Sequence, residues 1–169
     1  MTKLTDLTIH EALDGLKSKK FSAVELTQAH IDAMEKHRSL NCYITETPDI
    51  ALKQAEESDK RYASGSALKM DGIPLGMKDL FCTKDVKTTA GSKMLSDFVP
   101  TYESTVSQNL WDQGAVMMGK LNLDQFGMGT ANVNSHYGHV VNPWRAKDNP
   151  SKEYVAGGSS GGSSASVAA

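Results

Sequence analysis

The chain has 169 residues, the size of one ordinary domain or of part of a larger one. Its 18 lysines and arginines nearly balance 20 aspartates and glutamates, and the net charge of −2 excludes a generally polybasic nucleic-acid binder. No apolar run reaches the roughly 18–20 residues of a membrane span, and no secretory signal opens the chain. Two cysteines are too few for a disulfide framework. We therefore expect a reduced, cytoplasmic protein with no membrane partner.

The first 65 residues have the pattern of a helical region. Two capping boxes, Thr8-Ile-His-Glu11 and Ser22-Ala-Val-Glu25, each precede an amphipathic stretch. Thr47-Pro48 predicts an N-cap residue followed by proline at the first helical position, which starts a third helix, and Ser64-Gly65 predicts its end. We therefore predict a helical N-terminal region over residues 1–65.

The pattern then changes to one that alternates helices and strands. Within the first 65 residues, a short β-prone run at Cys42–Thr45 lies between the second and third helices; after residue 65, a turn leads into a short apolar segment at Leu75–Met77. Ser104–Gln113 predicts a helix and Ala115–Met118 a buried strand. A helix followed by a short apolar strand is typical of an α/β sheet. The fold class predicted for residues 66–169 is therefore α/β.

The last 13 residues, Gly157–Ala169, are almost entirely glycine, serine and alanine. One interpretation is a flexible linker. The other is a glycine-rich loop that enters a helix, and it is favoured because the final Ala-Ser-Val-Ala-Ala tolerates a helix. On this interpretation we expect the chain to end inside a structural element, as a fragment would.

Lys78 is the first candidate for chemistry. It lies among apolar residues near a predicted strand end, where partial burial lowers the pKa of a lysine and lets it act as a general base. The alternative is a solvated surface lysine, or one paired with Asp79. From the residues alone, the alternative is the commoner case.

The Gly157-Gly-Ser-Ser-Gly-Gly162 loop is the second candidate. Its glycines allow close approach to a ligand, but the loop matches neither a phosphate-binding P-loop nor the serine elbow of α/β hydrolases. Ser66-Ala-Leu-Lys69 matches S-x-x-K, which chance alone explains. His136 and His139 have no third ligand at metal spacing, so we expect no metal.

Five segments, taken together, resemble the amidase signature family in the same order along the chain. They are Gly72–Asp79, Pro100–Val106, Gly119–Gly129, Asn142–Trp144 and Gly157–Ser163. The resemblance covers essentially the whole chain. It implies the N-terminal portion of the amidase signature fold, with a helical N-terminus followed by part of a mixed sheet flanked by helices. Residues 66–169 are then the first part of that α/β core, truncated after the Gly-Ser-rich loop.

The resemblance also implies a Ser–cis-Ser–Lys site. Lys78 matches the base lysine, and Ser159 matches the bridging serine, whose peptide bond is cis in the family. Ser160 is expected to hold the loop. The family's nucleophilic serine lies some two dozen residues beyond the bridging one, so we expect it to be missing from this chain and the chain to be inactive alone.

Within the family, Phe21-Ser-Ala-Val-Glu-Leu26 resembles the A subunits of tRNA-dependent amidotransferases. That resemblance implies glutamine hydrolysis, with ammonia passed to partner subunits B and C that convert Glu-tRNA(Gln) to Gln-tRNA(Gln). It implies no cofactor in this chain, and ATP and magnesium at the partner. Two alternatives stay open: a stand-alone amidase acting on another amide, and a non-catalytic assembly fragment.

Overall fold

The structure, a computed structural model, describes residues 3–169 as an α/β fold. The α-helices are α1 (Ile9–Lys17), α2 (Ala23–Lys36), α3 (Pro48–Ser64), α4 (Thr105–Trp111) and α5 (Gly161–Ala168). The strands are β1 (Tyr43–Glu46), β2 (Pro74–Lys78) and β3 (Val116–Leu121). The predicted fold class is confirmed. None of the helices within these described residues is long and apolar enough to cross a membrane.

Both predicted capping boxes are present at the starts of α1 and α2. The Thr8 hydroxyl accepts from the Glu11 backbone N–H at 3.2 Å, and the Glu11 carboxylate accepts from the Thr8 N–H at 2.8 Å. The Ser22 hydroxyl accepts from the Glu25 N–H at 3.0 Å, and the Glu25 carboxylate accepts in return at 2.8 Å. Each box satisfies backbone donors that the first helical turn leaves without partners.

Helix α3 begins and ends close to the predicted residues, but the prediction that the Thr47 side chain caps it is wrong. Thr47 makes no side-chain capping bond, and its hydroxyl instead donates to the Met117 carbonyl at 3.0 Å. The helix ends at Ser64, and the C-cap residue Gly65 has φ of 72°, a left-handed conformation that glycine adopts without steric cost. Pro48 occupies the start of the helix, as predicted, and the Thr47 side chain does not cap it.

The three strands form a small mixed sheet in the order β1-β3-β2. Strand β1 pairs antiparallel with β3, with Tyr43 opposite Leu121 and Glu46 opposite Gly119, and the register shifts between Tyr43 and Thr45. Every residue of β3 is buried. The sequence predicted β3 to stop at Met118, because glycine and lysine follow. The strand continues to Leu121 because Lys120 is buried in an ion pair with Asp79.

The described chain divides into two compact units, in which segments distant in sequence come together. One unit contains the described residues up to Glu35 together with Thr47–Leu75 and Gln108–Met118. The other contains Lys36–Glu46, Gly76–Ser107 and Gly119–Ala169, and it holds both predicted site residues. The core of this second unit includes Leu40, Cys42, Val140, Val141 and Ala165. The predicted boundary at residue 65 stays a prediction.

Candidate active site

The Gly-Ser-rich segment is a loop that enters a helix, so the linker interpretation is wrong and the favoured one is confirmed. Helix α5 starts at Gly161, and the Gly162 N–H donates to the Asn122 carbonyl at 3.0 Å. A Cβ at position 162 would lie 2.5 Å from the Cys42 carbonyl oxygen and 2.6 Å from the Asn122 carbonyl oxygen. Only glycine therefore allows α5 to approach the backbone that follows β3 this closely.

The structure brings the two predicted site residues, 81 positions apart in sequence, into direct contact. Lys78 is the last residue of β2, and its Nζ donates to the Ser159 hydroxyl at 2.8 Å. The same Nζ donates to the Ser160 hydroxyl at 2.7 Å. All three side chains belong to half-buried residues. An amine and two hydroxyls therefore form one hydrogen-bonded cluster where β2 ends and α5 begins.

Partial burial changes the acid–base behaviour of Lys78. Burial lowers the pKa of its ammonium, because it disfavours the charged form, while the negative charge of Asp124 opposes that shift. Asp79 does not compete for the amine, since its carboxylate accepts from Thr89 and faces Lys120. The alternative of a Lys78–Asp79 pair is therefore excluded, and Lys78 is half-buried rather than fully exposed. The pKa of Lys78 is shifted in the direction that a lysine general base requires.

The backbone of Ser159 is held by the backbone N–H of Asp124, a buried residue that sequence reasoning missed. The Gly158–Ser159 peptide bond is cis, as the family resemblance implies. The Asp124 N–H donates to the Ser159 carbonyl at 3.0 Å, and the Asp124 carboxylate accepts from the Asn132 N–H at 2.9 Å. Asp124 lies in one of the five family-like segments, but nothing local in the sequence shows that its carboxylate turns inward.

Ser160 was expected to hold the loop, and in the structure its side chain also contacts Lys78. Its carbonyl accepts from the Ser164 N–H at 3.1 Å, which begins the hydrogen-bonding of α5. Its hydroxyl accepts from Lys78, a contact that the sequence did not predict. With Ser159 and Ser160 both at hydrogen-bonding distance, the Lys78 amine has its direction fixed by two partners.

The other residues considered from sequence form no site. The Ser66 hydroxyl lies 2.8 Å from the Ser64 hydroxyl at an exposed position. His136 packs edge-on against Tyr137, and His139 lies 3.7 Å from the Glu153 carboxylate. Within residues 3–169, no group of three histidine, cysteine or acidic residues is placed to hold a metal ion.

A loop carrying paired serines beside a half-buried lysine is the arrangement that the sequence motifs predicted for an amide-cleaving enzyme. The Amidase family model matches residues 25–169. The chain belongs to the amidase family, and the resemblance drawn from the five segments is confirmed.

Within this family the chain is similar to known A subunits of amidotransferases. It is 58% identical to the A subunit of the glutamyl-tRNA(Gln) amidotransferase of Hyphomonas neptunium over 168 residues, which are 99% of this chain and 34% of that protein. The solved A subunit of the Thermotoga maritima glutamyl-tRNA(Gln) amidotransferase matches with a TM-score of 0.73 and 27% identity, over 99% of this chain and 32% of that one. A bacterial aryl acylamidase matches with a TM-score of 0.80 and 28% identity, over 94% of this chain and 32% of the acylamidase chain. The chain thus spans about a third of the length of each.

Proposed function

We propose that the protein acts as the A subunit of a tRNA-dependent amidotransferase and releases ammonia from the side-chain amide of glutamine. The contact of 2.8 Å between Lys78 Nζ and the Ser159 hydroxyl carries the proposal for amide cleavage. Identity of 58% with the A subunit of a glutamyl-tRNA(Gln) amidotransferase, across 99% of this chain, supports glutamine as the amide. The reaction class is acyl transfer through a serine ester.

The proposed chemistry begins with a proton relay. Neutral Lys78 accepts the proton of the Ser159 hydroxyl while Ser159 accepts the proton of a nucleophilic serine, whose oxygen attacks the amide carbon of glutamine. When the tetrahedral intermediate collapses, the carbon–nitrogen bond breaks and the relay returns a proton to the leaving nitrogen as ammonia forms. Water then hydrolyses the ester and releases glutamate. We assign the nucleophile to none of the serines in residues 1–169.

The proposal extends to partners and cofactors. Partner subunits B and C receive the ammonia and use it to convert Glu-tRNA(Gln) to Gln-tRNA(Gln), with ATP and magnesium bound at the partner and no cofactor in this chain. The net charge of −2 is consistent with a protein that leaves most tRNA contacts to its partner. The proposed compartment is the cytoplasm, where the amidotransferase would meet charged tRNA.

A stand-alone amidase is the second candidate function. The match to the aryl acylamidase has a TM-score of 0.80, against 0.73 for the solved A subunit, so the backbone fits an acylamidase at least as well as an amidotransferase subunit. The Lys78–Ser159 contact serves either substrate, because the relay acts on the nucleophile rather than on the acyl group.

Purification of the complete protein from its own cells, followed by amide assays, distinguishes the two functions. We expect two further subunits to co-purify and ammonia to be released from glutamine faster than from aryl or aliphatic amides. A solitary protein that cleaves non-glutamine amides well and glutamine poorly would contradict the amidotransferase proposal and support the second function.

Residues 1–169 alone are expected to be inactive. The relay needs a nucleophile that we assign to no serine of this chain, so purified residues 1–169 should release no ammonia from glutamine, even when the partner subunits are added. Enzymatic detection of ammonia over several hours checks this, with the complete protein as the positive control. Ammonia above the level of a buffer blank would refute the expectation.

A further inference from the structure

A buried ion pair lies next to Lys78, and the proposed relay uses neither of its members. Asp79 follows Lys78 directly, and Lys120 belongs to β3. Both side chains are 0% exposed, and Lys120 Nζ lies 3.6 Å from Asp79 Oδ1. Because burying charge is costly and such a pair is weak evidence for stability, its position beside the site calls for another explanation.

Lys120 fixes the loop that follows β2 at three points. Its Nζ donates to the Phe81 carbonyl at 2.6 Å, to the Thr88 hydroxyl at 2.7 Å and to the Thr83 hydroxyl at 3.2 Å. An ammonium has three donors, and here all three are directed at this loop. These three bonds tie the loop to the strand that carries Lys120.

Asp79 closes the same loop from its other side. Its Oδ2 accepts from the Thr89 N–H at 2.9 Å and from the Thr89 hydroxyl at 2.5 Å, while its Oδ1 has no hydrogen-bond partner among the described residues and faces Lys120. Its backbone N–H donates to the Leu121 carbonyl, and its carbonyl accepts from the Ala90 N–H, both at 2.9 Å. The peptide next to Lys78 is thereby fixed on both sides.

The loop also leads to the backbone of Ser159. The Ala90 carbonyl accepts from the Phe126 N–H at 2.8 Å. Two residues earlier, the Asp124 N–H donates to the Ser159 carbonyl at 3.0 Å. A continuous set of hydrogen bonds therefore runs from Asp79, through this loop and the segment after β3, to the serine that Lys78 contacts.

We propose that the Asp79–Lys120 pair is a positioning device that holds the Lys78 amine against the Ser159 hydroxyl. The inference rests on the proposed function, because the distance between these groups affects rate only if they relay a proton. Displacement of a catalytic group by about 1 Å costs roughly a hundredfold in rate, so a rigid support for the end of β2 has a direct kinetic effect.

The charges around Lys78 predict how loss of the pair changes the pH dependence. Burial raises the pKa of Asp79 and lowers that of Lys120, and each charge opposes the shift of the other. Among the described residues, Asp124 is the charged group that acts on Lys78, and it raises the pKa that burial lowers. If the end of β2 loosens and admits water, the pKa of Lys78 rises toward its ordinary value. Activity that needs a neutral amine then requires a higher pH.

The test compares pH profiles of ammonia release from glutamine by the complete protein with its partner subunits. The Asp79→Asn/Lys120→Met double variant removes both charges together and leaves neither unpaired. We expect kcat to fall about tenfold with KM nearly unchanged, and the acidic limb of the profile to move up by at least about 0.5 pH unit. Thr89→Val, which removes one donor to Asp79 and keeps the side-chain volume, should shift the limb in the same direction by less.

The matched control is the Arg61→Met/Asp71→Asn double variant. It removes another ion pair with a buried carboxylate, with 2.6 Å between Arg61 Nη2 and Asp71 Oδ1, in the compact unit that does not contain Lys78. The acidic limb of the pH profile of this control variant should lie at the same pH as that of the unchanged protein. An unmoved limb in the folded Asp79→Asn/Lys120→Met variant overturns the positioning role. If that variant does not fold, an unmoved limb in Thr89→Val overturns it instead. A wild-type complex that releases no ammonia from any amide overturns the proposed function itself.

Discussion

Lys78→Arg should reduce ammonia release by the complete protein about a thousandfold, with little change in KM. Arginine keeps a positive charge and hydrogen-bond donors, but its guanidinium does not deprotonate in proteins and cannot act as a base. Removal of a positioned general base costs about 10²–10⁴-fold in rate. Steady-state measurement of kcat with glutamine checks this expectation.

Lys87→Arg is the matched control, because Lys87 is exposed in the loop after β2 and plays no part in the proposed relay. Its kcat should equal that of the unchanged protein. If Lys78→Arg keeps more than about a tenth of the activity, Lys78 serves as a cation or a structural donor and the role of a base is wrong.

Ser159→Ala should cause a loss of similar size, and Ser160→Ala a much smaller one. Without the Ser159 hydroxyl, the proton path from the nucleophile to Lys78 is broken, and we expect kcat to fall about a thousandfold. Ser160 gives Lys78 one further hydrogen bond. Its loss should cost about 1 kcal/mol, or about fivefold in rate.

The two alanine variants remove the same atoms from adjacent residues of one loop, so their ratio separates relay from packing. The circular dichroism spectra of the Ser159→Ala and Ser160→Ala variants should be the same, and so should their thermal unfolding midpoints. Equal losses of activity would contradict the assignment of Ser159 as the bridging residue, and a larger loss in Ser160→Ala would exchange the two roles.

Local rules predicted most of the secondary structure. The capping boxes at Thr8 and Ser22 satisfy helix N–H groups with residues three positions away, so four-residue patterns are enough to place both helix starts. Strand β3 was predicted too short because a lysine after a glycine usually indicates the chain leaving the core. Burial of Lys120 depends on Asp79, 41 positions earlier by residue number, and no local pattern shows that pairing.

For the candidate site too, local motifs predicted some residues, and the contacts between distant segments were missed. Ordered family motifs indicated Lys78 and Ser159, because each lies in a recognisable segment. Asp124, whose backbone N–H supports the Ser159 backbone, was missed because that contact joins two segments 35 positions apart in sequence. The contact of the Ser160 hydroxyl with Lys78 was missed because it follows from the fold of the loop at the start of α5. Contacts between segments distant in sequence are therefore what the structure adds.

The acid–base state of Lys78 tests the central claim most directly. NMR of the chain with ¹³C at lysine Cε, with the Lys78 resonance assigned by its loss in Lys78→Arg, follows the titration of this amine without any assay of activity. The account predicts a midpoint below the ordinary lysine pKa of about 10.4, because burial disfavours the ammonium more than Asp124 stabilises it. A midpoint at or above that ordinary value would show an amine that stays charged beside Ser159, and would contradict its role as the base.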